Sequence, residues 1–407
     1  MAMDTGTDMD RERRRDPEDA MIQIDQVEDA RVAQQTRTLR SLAVHSLARM
    51  YCPDERLFAF RLRRHGDADV LEGRSRRYTA TALIGLASED RSVVREVLGH
   101  QSLEDVCTTL IEHLNQTKDL GEVALTTWAA RMLDHPRAGE AVRVLRQMEP
   151  GQRAYCTVEL AWTVTALVID GSDATDMAQA DVAAEALLAA FREDSCLFRR
   201  WPAGCVVPKL PSFVNGIGDR LPAVRTHVSC FADFVYPVQA LSHYHRVTGN
   251  ARAAEVARRC AERMCNLQGP QGQWWWHYDI RTGEVIERYP VYSVHQDAMG
   301  PMALFAVARA CGRDYTDAID RGVHWLFHPS ENIPSLVDVE RDIIWRKVAR
   351  RGPGKLVRGL QAMASGLHPS LRVPGVDALF PPVTVDYESR PYHMGWILHA
   401  WPTDGAL

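Results

Sequence analysis

The stretch "VSCFADFVYPVQALSHYHRVTGNARAAEVARRCAERM", residues 228–264, decides the fold. Its first part is apolar almost all the way round a helix, whereas "ARAAEVARRCAERM" keeps apolar residues to one side and charges to the other. Only "TGN" (248–250) separates the two, and helices joined so tightly lie antiparallel. An apolar helix beside an amphipathic one describes a buried inner element sheathed by a surface one.

The alternation recurs along the chain. Helical periodicity pairs 36–50 with 77–88, 92–116 with 121–133, 137–147 with 153–169, 176–193 with 226–248, 250–266 with 293–311, and 313–328 with 391–401. In each pair the second helix is the more apolar, as in "YTATALIGLA", "YCTVELAWTVTALVI", "SVHQDAMGPMALFAVA" and "PYHMGWILHAW". A ring of inner helices wrapped by outer ones satisfies both patterns. The expectation is an all-α protein, an (α/α)6 toroid of six helical hairpins at 34–407, behind a disordered segment at 1–33.

Composition bounds the function. The 407 residues carry a formal net charge of -5 and a pI near 6.3, without the basic excess of a nucleic-acid binder. The nine cysteines are scattered, with no CxxC and no zinc spacing, and suit reduced thiols of a cytoplasmic protein. The charged N-terminal stretch has no apolar core of a signal peptide, and no run of about 18 apolar residues occurs. Neither metal nor cofactor is expected.

Loop lengths point to the working face. Links from inner to next outer helix are short, but 51–76, 194–225, 267–292 and 329–390 are long and all run from outer to inner helix. In a toroid such links share one face, so function belongs where the inner helices begin. Their N-termini also bring partial positive charge there.

Two inner helices repeat a pattern: Ser229-x3-Asp233-x3-Pro237 and Ser293-x3-Asp297-x3-Pro301. Spacing of four aligns the three residues on one helix face, and each interior proline frees the carbonyl four residues earlier, that of the Asp itself. Two carboxylates near adjacent helix starts could divide general acid and base roles, or could each merely cap a helix. A second cluster, "VTVDYESRPYHMGWILHAW", places Glu388, Arg390, Tyr392 and His393 around the start of the last inner helix. The candidate catalytic residues are therefore Asp297, Asp233, Glu388, His295, Tyr392 and His393. For substrate binding the candidates are Trp274, Trp275, Trp276, Tyr278, Tyr292 and Arg390, because indole and phenol faces stack on sugar rings and a guanidinium grips a carboxylate.

Gln268-x3-Gly272-x-Trp274 forms a turn in which glycine allows a tight path, the Gln amide ties loop to helix, and Trp covers the helix end. It resembles the Q-x3-G-x-W element of terpenoid cyclases and similar turns in six-hairpin glycosidases and sugar epimerases. The DxDD and DDxxD strings of terpenoid chemistry are absent. "VYSVHQ" resembles the "CYSFWQ" of protein prenyltransferase β-subunits, but Val291 and Tyr289 stand at the positions of that family's zinc ligands, so its metal site is missing. The resemblance to toroids implies a carbohydrate-active enzyme of glycoside hydrolase, lyase or uronyl epimerase type, using carboxylates on an intracellular or lipid-linked glycan. Alternatives are a terpenoid cyclase-like enzyme with Asp297 as proton donor, and a toroid that only binds a glycan or protein.

A basic helical insert is expected at about 338–372. The insert reads as a lid helix packed on the toroid rim with solvated charges, or as one whose Ile343, Ile344, Trp345 and Val348 enter a membrane interface while Arg346, Lys347, Arg350 and Arg351 meet anionic headgroups. Partners would then be an oligosaccharide or small molecule and, through 343–358, the inner membrane face.

Overall fold

The computed structural model describes residues 30–169, 174–202 and 226–402. Of the segment expected to be disordered at 1–33, residues 1–29 lie outside these residues and 30–33 are helical instead. The folded body is already helical at Ala30.

All six hairpins are present. Their outer and inner members are α1 (Ala30–Met50) with α2 (Arg76–Leu86), then α3 (Arg91–Val97) and α4 (Leu103–His113) with α5 (Leu120–Met132). Next come α6 (Ala138–Gln147) with α7 (Thr157–Val168) and α8 (Ala174–Ala190) with α9 (Ala232–Thr248). The last two hairpins are α10 (Ala251–Asn266) with α11 (Gly300–Cys311), and α12 (Thr316–Phe327) with the C-terminal inner helix (Pro391–Ala400), here α15. The inner helices pack in the order α2, α5, α7, α9, α11, α15 and back to α2.

The "TGN" link works as its residues dictate. Gly249 takes the left-handed conformation (φ 73°) that ends α9, and the Asn250 side chain accepts from Ala253 N to begin α10. The second outer segment differs from the single helix expected over 92–116. Gly99 and His100 both adopt positive φ, and Ser102 restarts the chain with a capping box to Asp105.

Ring closure rests on two glycines. A Cβ on Gly85 of α2 would lie 2.8 Å from Gly395 Cα, and one on Gly395 of α15 would lie 2.7 Å from the Thr81 carbonyl carbon. The first and last inner helices touch backbone to backbone.

The long loops form short strands on one face. Strand β1 (Tyr51–Cys52) pairs with β2 (Leu57–His65), which also pairs with β3 (Ala68–Arg74) and, from the far end of the chain, with Glu388–Ser389. Val291–Tyr292, Lys347–Ala349 and Thr384–Asp386 make a second small sheet, and Val228–Cys230, His277–Asp279 and Val285–Glu287 a third. The Q-x3-G-x-W turn acts as a clasp. Gln268 Nε2 donates to Gly272 O (2.9 Å) and Ala318 O (2.8 Å), while Gly272 has φ 100° against the backbone of Arg321.

The membrane reading of the insert is overturned for its first half. Ile343, Ile344, Trp345 and Val348 are buried in the core, because residues 343–344 and 347–349 are strands. Arg350 is buried beside Glu287 (2.8 Å). Helix appears only at α13 (Gly354–Leu367) and the short α14 (Val376–Leu379). The two short strands belong to different small sheets, and Arg346 and Lys347 turn toward carboxylates instead of headgroups. No described helix is long and apolar enough to cross a membrane.

Candidate functional site

The first turns of the inner helices open on the strand-covered face, and their side chains form two layers. The deeper layer gathers three of the expected residues. Asp297 and His393 are buried, and His393 Nε2 lies 2.8 and 2.9 Å from the two Asp297 oxygens. Burial raises the Asp297 pKa, opposed by the imidazole. Proline explains the local geometry. Pro301 starts α11, residues 295–299 widen into a π turn closed by Gly300 N to His295 O, and the Asp297 carbonyl is instead taken by Trp401 Nε1 (2.7 Å).

His295 sits between the rings of Phe231 (centroids 4.6 Å) and Trp276 (5.6 Å, 12° between planes). Burial drives its pKa down to about 3, so it is neutral, and its buried Nδ1 has no hydrogen-bond partner.

Glu388 is the hub of an arginine cluster. Arg61 (3.0 Å), Arg63 (3.2 Å), Arg346 (3.2 Å) and Arg390 all pair with its buried carboxylate. Burial alone would raise the Glu388 pKa; Arg346, Arg390 and Arg61 overcome it and hold the carboxyl below its usual range. A carboxylate so clamped organises charge and has no proton to give near neutrality.

The upper layer is partly open to solvent. Tyr392 stacks on Tyr78 (4.8 Å), Arg390 Nη1 donates to Tyr78 Oη (2.8 Å), and Trp276 packs on Tyr292 (4.7 Å) beneath the Arg346 guanidinium. Burial lifts Tyr392 to about 12. Across the mouth, Arg77 at the start of α2 binds Asp119, the N-cap of α5, through Nε (3.0 Å), and Glu159, in the first turn of α7, through Nη2 (3.0 Å). The same Nη2 also pairs with Asp119. Trp162 of α7 lies under that guanidinium and against Tyr236.

Four candidates go elsewhere. Asp233 does not join Asp297; its carboxylate accepts from Cys230 N (2.8 Å), the capping role. Trp274 is buried against Phe231 and fills the space left by Gly300 and Gly322. Trp275 packs on Tyr289, and Tyr278 is buried with its hydroxyl on Trp275 O (3.1 Å). Of the three tryptophans only Trp276 reaches the half-open layer.

Sequence reading missed Arg77, Asp119, Glu159, Arg61 and Tyr78. The signal for the first three was available, since they stand at the starts of inner helices. Arg61 and Arg63 alternate with Phe60 and Leu62, the period of a strand whose one face carries charge.

No family model matches the sequence, and no curated protein does. Among solved structures, a sugar epimerase from a ruminal bacterium superposes with a TM-score of 0.58 at 10% identity, over 92% of this chain and 99% of that one. The chain has the (α/α)6 toroid fold. An unsaturated glucuronyl hydrolase from Bacillus sp. GL1 gives 0.55 at 13% identity, over 90% of this chain and 95% of the other. A possible member of the GH105 family from Salmonella enterica gives 0.51 at 10%, over 90% and 92%. At these identities the likeness is one of fold.

Proposed function

We propose that the chain is a carbohydrate-active enzyme that uses carboxylate acid–base chemistry at the toroid mouth. The observation that carries this reading is the pair Asp119 and Glu159, both partly accessible, on neighbouring inner helices and bound to one guanidinium nitrogen of Arg77. Sharing that nitrogen keeps the carboxyls near the roughly 5 Å spacing that suits attack by one on the anomeric carbon while the other protonates the leaving oxygen. Trp162, Trp276 and the tyrosines offer stacking faces. Sugar-acting enzymes among the similar folds support the same substrate class.

The arginines favour an acidic sugar. Arg346 Nε is buried without a partner beside the Trp276–Tyr292 shelf, a fit for the carboxylate of a uronate. Substitution of Asp119 by Asn and of Glu159 by Gln, assayed on uronate-containing and neutral oligosaccharides, tests the reading. Each variant should lose 10²–10⁴-fold in turnover, the usual worth of acid–base help, with melting temperature unchanged within a few degrees. Two folded, fully active variants would overturn it.

The terpenoid alternative asks for an apolar cavity around Asp297, but the mouth above it carries the charges of Arg346, Arg390 and Glu388.

A further inference from the structure

The helix α13 is built with its large residues outward. Its buried positions are Val357, Gln361, Ala362, Ala364 and Ser365, against the strand Val285–Glu287 and His227. Its exposed positions include Leu356 (57% exposed), Leu360, Met363 and Leu367 (84%). Steps of four, three and four residues align these side chains in one stripe about 16 Å long at 1.5 Å per residue. Contiguous apolar surface of this kind marks a contact site, whereas scattered exposed leucines do not.

Charge says what the contact is. The helix contains no acidic residue. Arg351 and Lys355 lie at its start, both exposed and with no ion pair among the described residues, although arginines elsewhere in the molecule are commonly paired. The nearby acids are already engaged, Asp377 by Arg350 (2.8 Å) and Glu284 by Arg372 (3.7 Å). A two-fold contact between copies would bring this acid-free patch against itself, with nothing to neutralise the cations. An anionic lipid surface supplies both an apolar layer for the leucines and headgroup charge for the cations.

We propose that α13 is a membrane-contact helix, laying Leu356, Leu360, Met363 and Leu367 into an anionic lipid interface. The site stands apart from the sugar chemistry, though it lies on the strand-covered face and would hold the mouth near the headgroups.

The test is sedimentation of the full chain with vesicles of phosphatidylcholine, with and without phosphatidylglycerol. The variants are Leu356→Ser/Leu360→Ser/Met363→Ser/Leu367→Ser and Arg351→Gln/Lys355→Gln. Wild type should pellet with the anionic vesicles and less so with salt. Each near-surface cation contributes about fivefold in partitioning, so the charge variant should lose roughly 25-fold. The serine variant should lose at least as much, and if it fails to fold, the charge variant and the salt series still decide. The proposal is overturned if wild type stays in solution with anionic vesicles, or if the charge variant pellets as wild type does. A concentration-dependent dimer lost in the serine variant, without vesicle binding, would also overturn it by giving the stripe to a second copy.

Discussion

His295 offers a direct physical test of the buried layer. Its imidazole is 2% exposed and neutral, with its pKa pushed to about 3 by burial against an unfolded value near 6.5. Between those values the unfolded chain binds a proton that the folded chain refuses. Stability from this residue is therefore complete above about pH 6.5 and falls as the pH drops toward 3, at about 1.4 kcal/mol per pH unit. From pH 7 to pH 5 the loss is roughly 2 kcal/mol. His295→Phe keeps an aromatic ring between Phe231 and Trp276 but removes the titration. It also leaves the backbone group of Trp274 without its imidazole partner, a cost that is the same at both pH values and cancels. Urea unfolding of both proteins at pH 7 and pH 5 gives four free energies. The wild type should lose about 2 kcal/mol more than the variant between the two pH values, and an equal loss would show that His295 is not held neutral.

Two further outcomes follow from close packing and stacking. Gly395→Ala forces a Cβ into the α2 backbone at the ring closure and should destabilise by about 1–3 kcal/mol or more, read as a lower urea midpoint; a wild-type midpoint would mean the ring closes otherwise. Trp276→Ala should raise KM for the cognate sugar while changing kcat less, because a stacking face contributes to ground and transition states alike, and a fall confined to kcat would contradict the stacking role.

The ring was legible because period and pairing are properties of neighbours in sequence. "TGN" contains its own cap and stop, and Gln268, Gly272 and Trp274 meet within one turn. The strands were not legible, since each pairs with a partner far away: Glu388 meets Arg63 and Lys347 meets Asp386 across long separations. Without that pairing, "DIIWRKVA" reads as an amphipathic helix and Arg346 as a headgroup ligand. The same distance hid the Arg61–Glu388 cluster and the Arg77 bridge, although every inner-helix start had been marked as part of one face.

The repeated Ser-x3-Asp-x3-Pro shows where sequence symmetry ends. Both serines tie down loops, Ser229 to Phe198 O (2.8 Å) and Ser293 to Trp345 O, yet the aspartates part company. Asp233 accepts a backbone N–H, a task an amide oxygen performs nearly as well, so Asp233→Asn should cost under about 1 kcal/mol and leave turnover intact. Asp297 offers two oxygens to one buried imidazole, and Asn presents only one acceptor and no charge. Weakening a buried hydrogen bond to a carboxylate costs about 1–3 kcal/mol. Asp297 thus acts as a positioning residue: loosening His393 disturbs Tyr392 beside it, at the start of α15 where the mouth begins. Asp297→Asn should lower the melting temperature and also cut kcat at temperatures where the variant is fully folded, with KM changed less. If both variants melt alike, the two copies of the repeat are equivalent caps; if Asp297→Asn is destabilised but its folded fraction turns over at the wild-type rate, the Asp297–His393 pair serves the fold and not the chemistry.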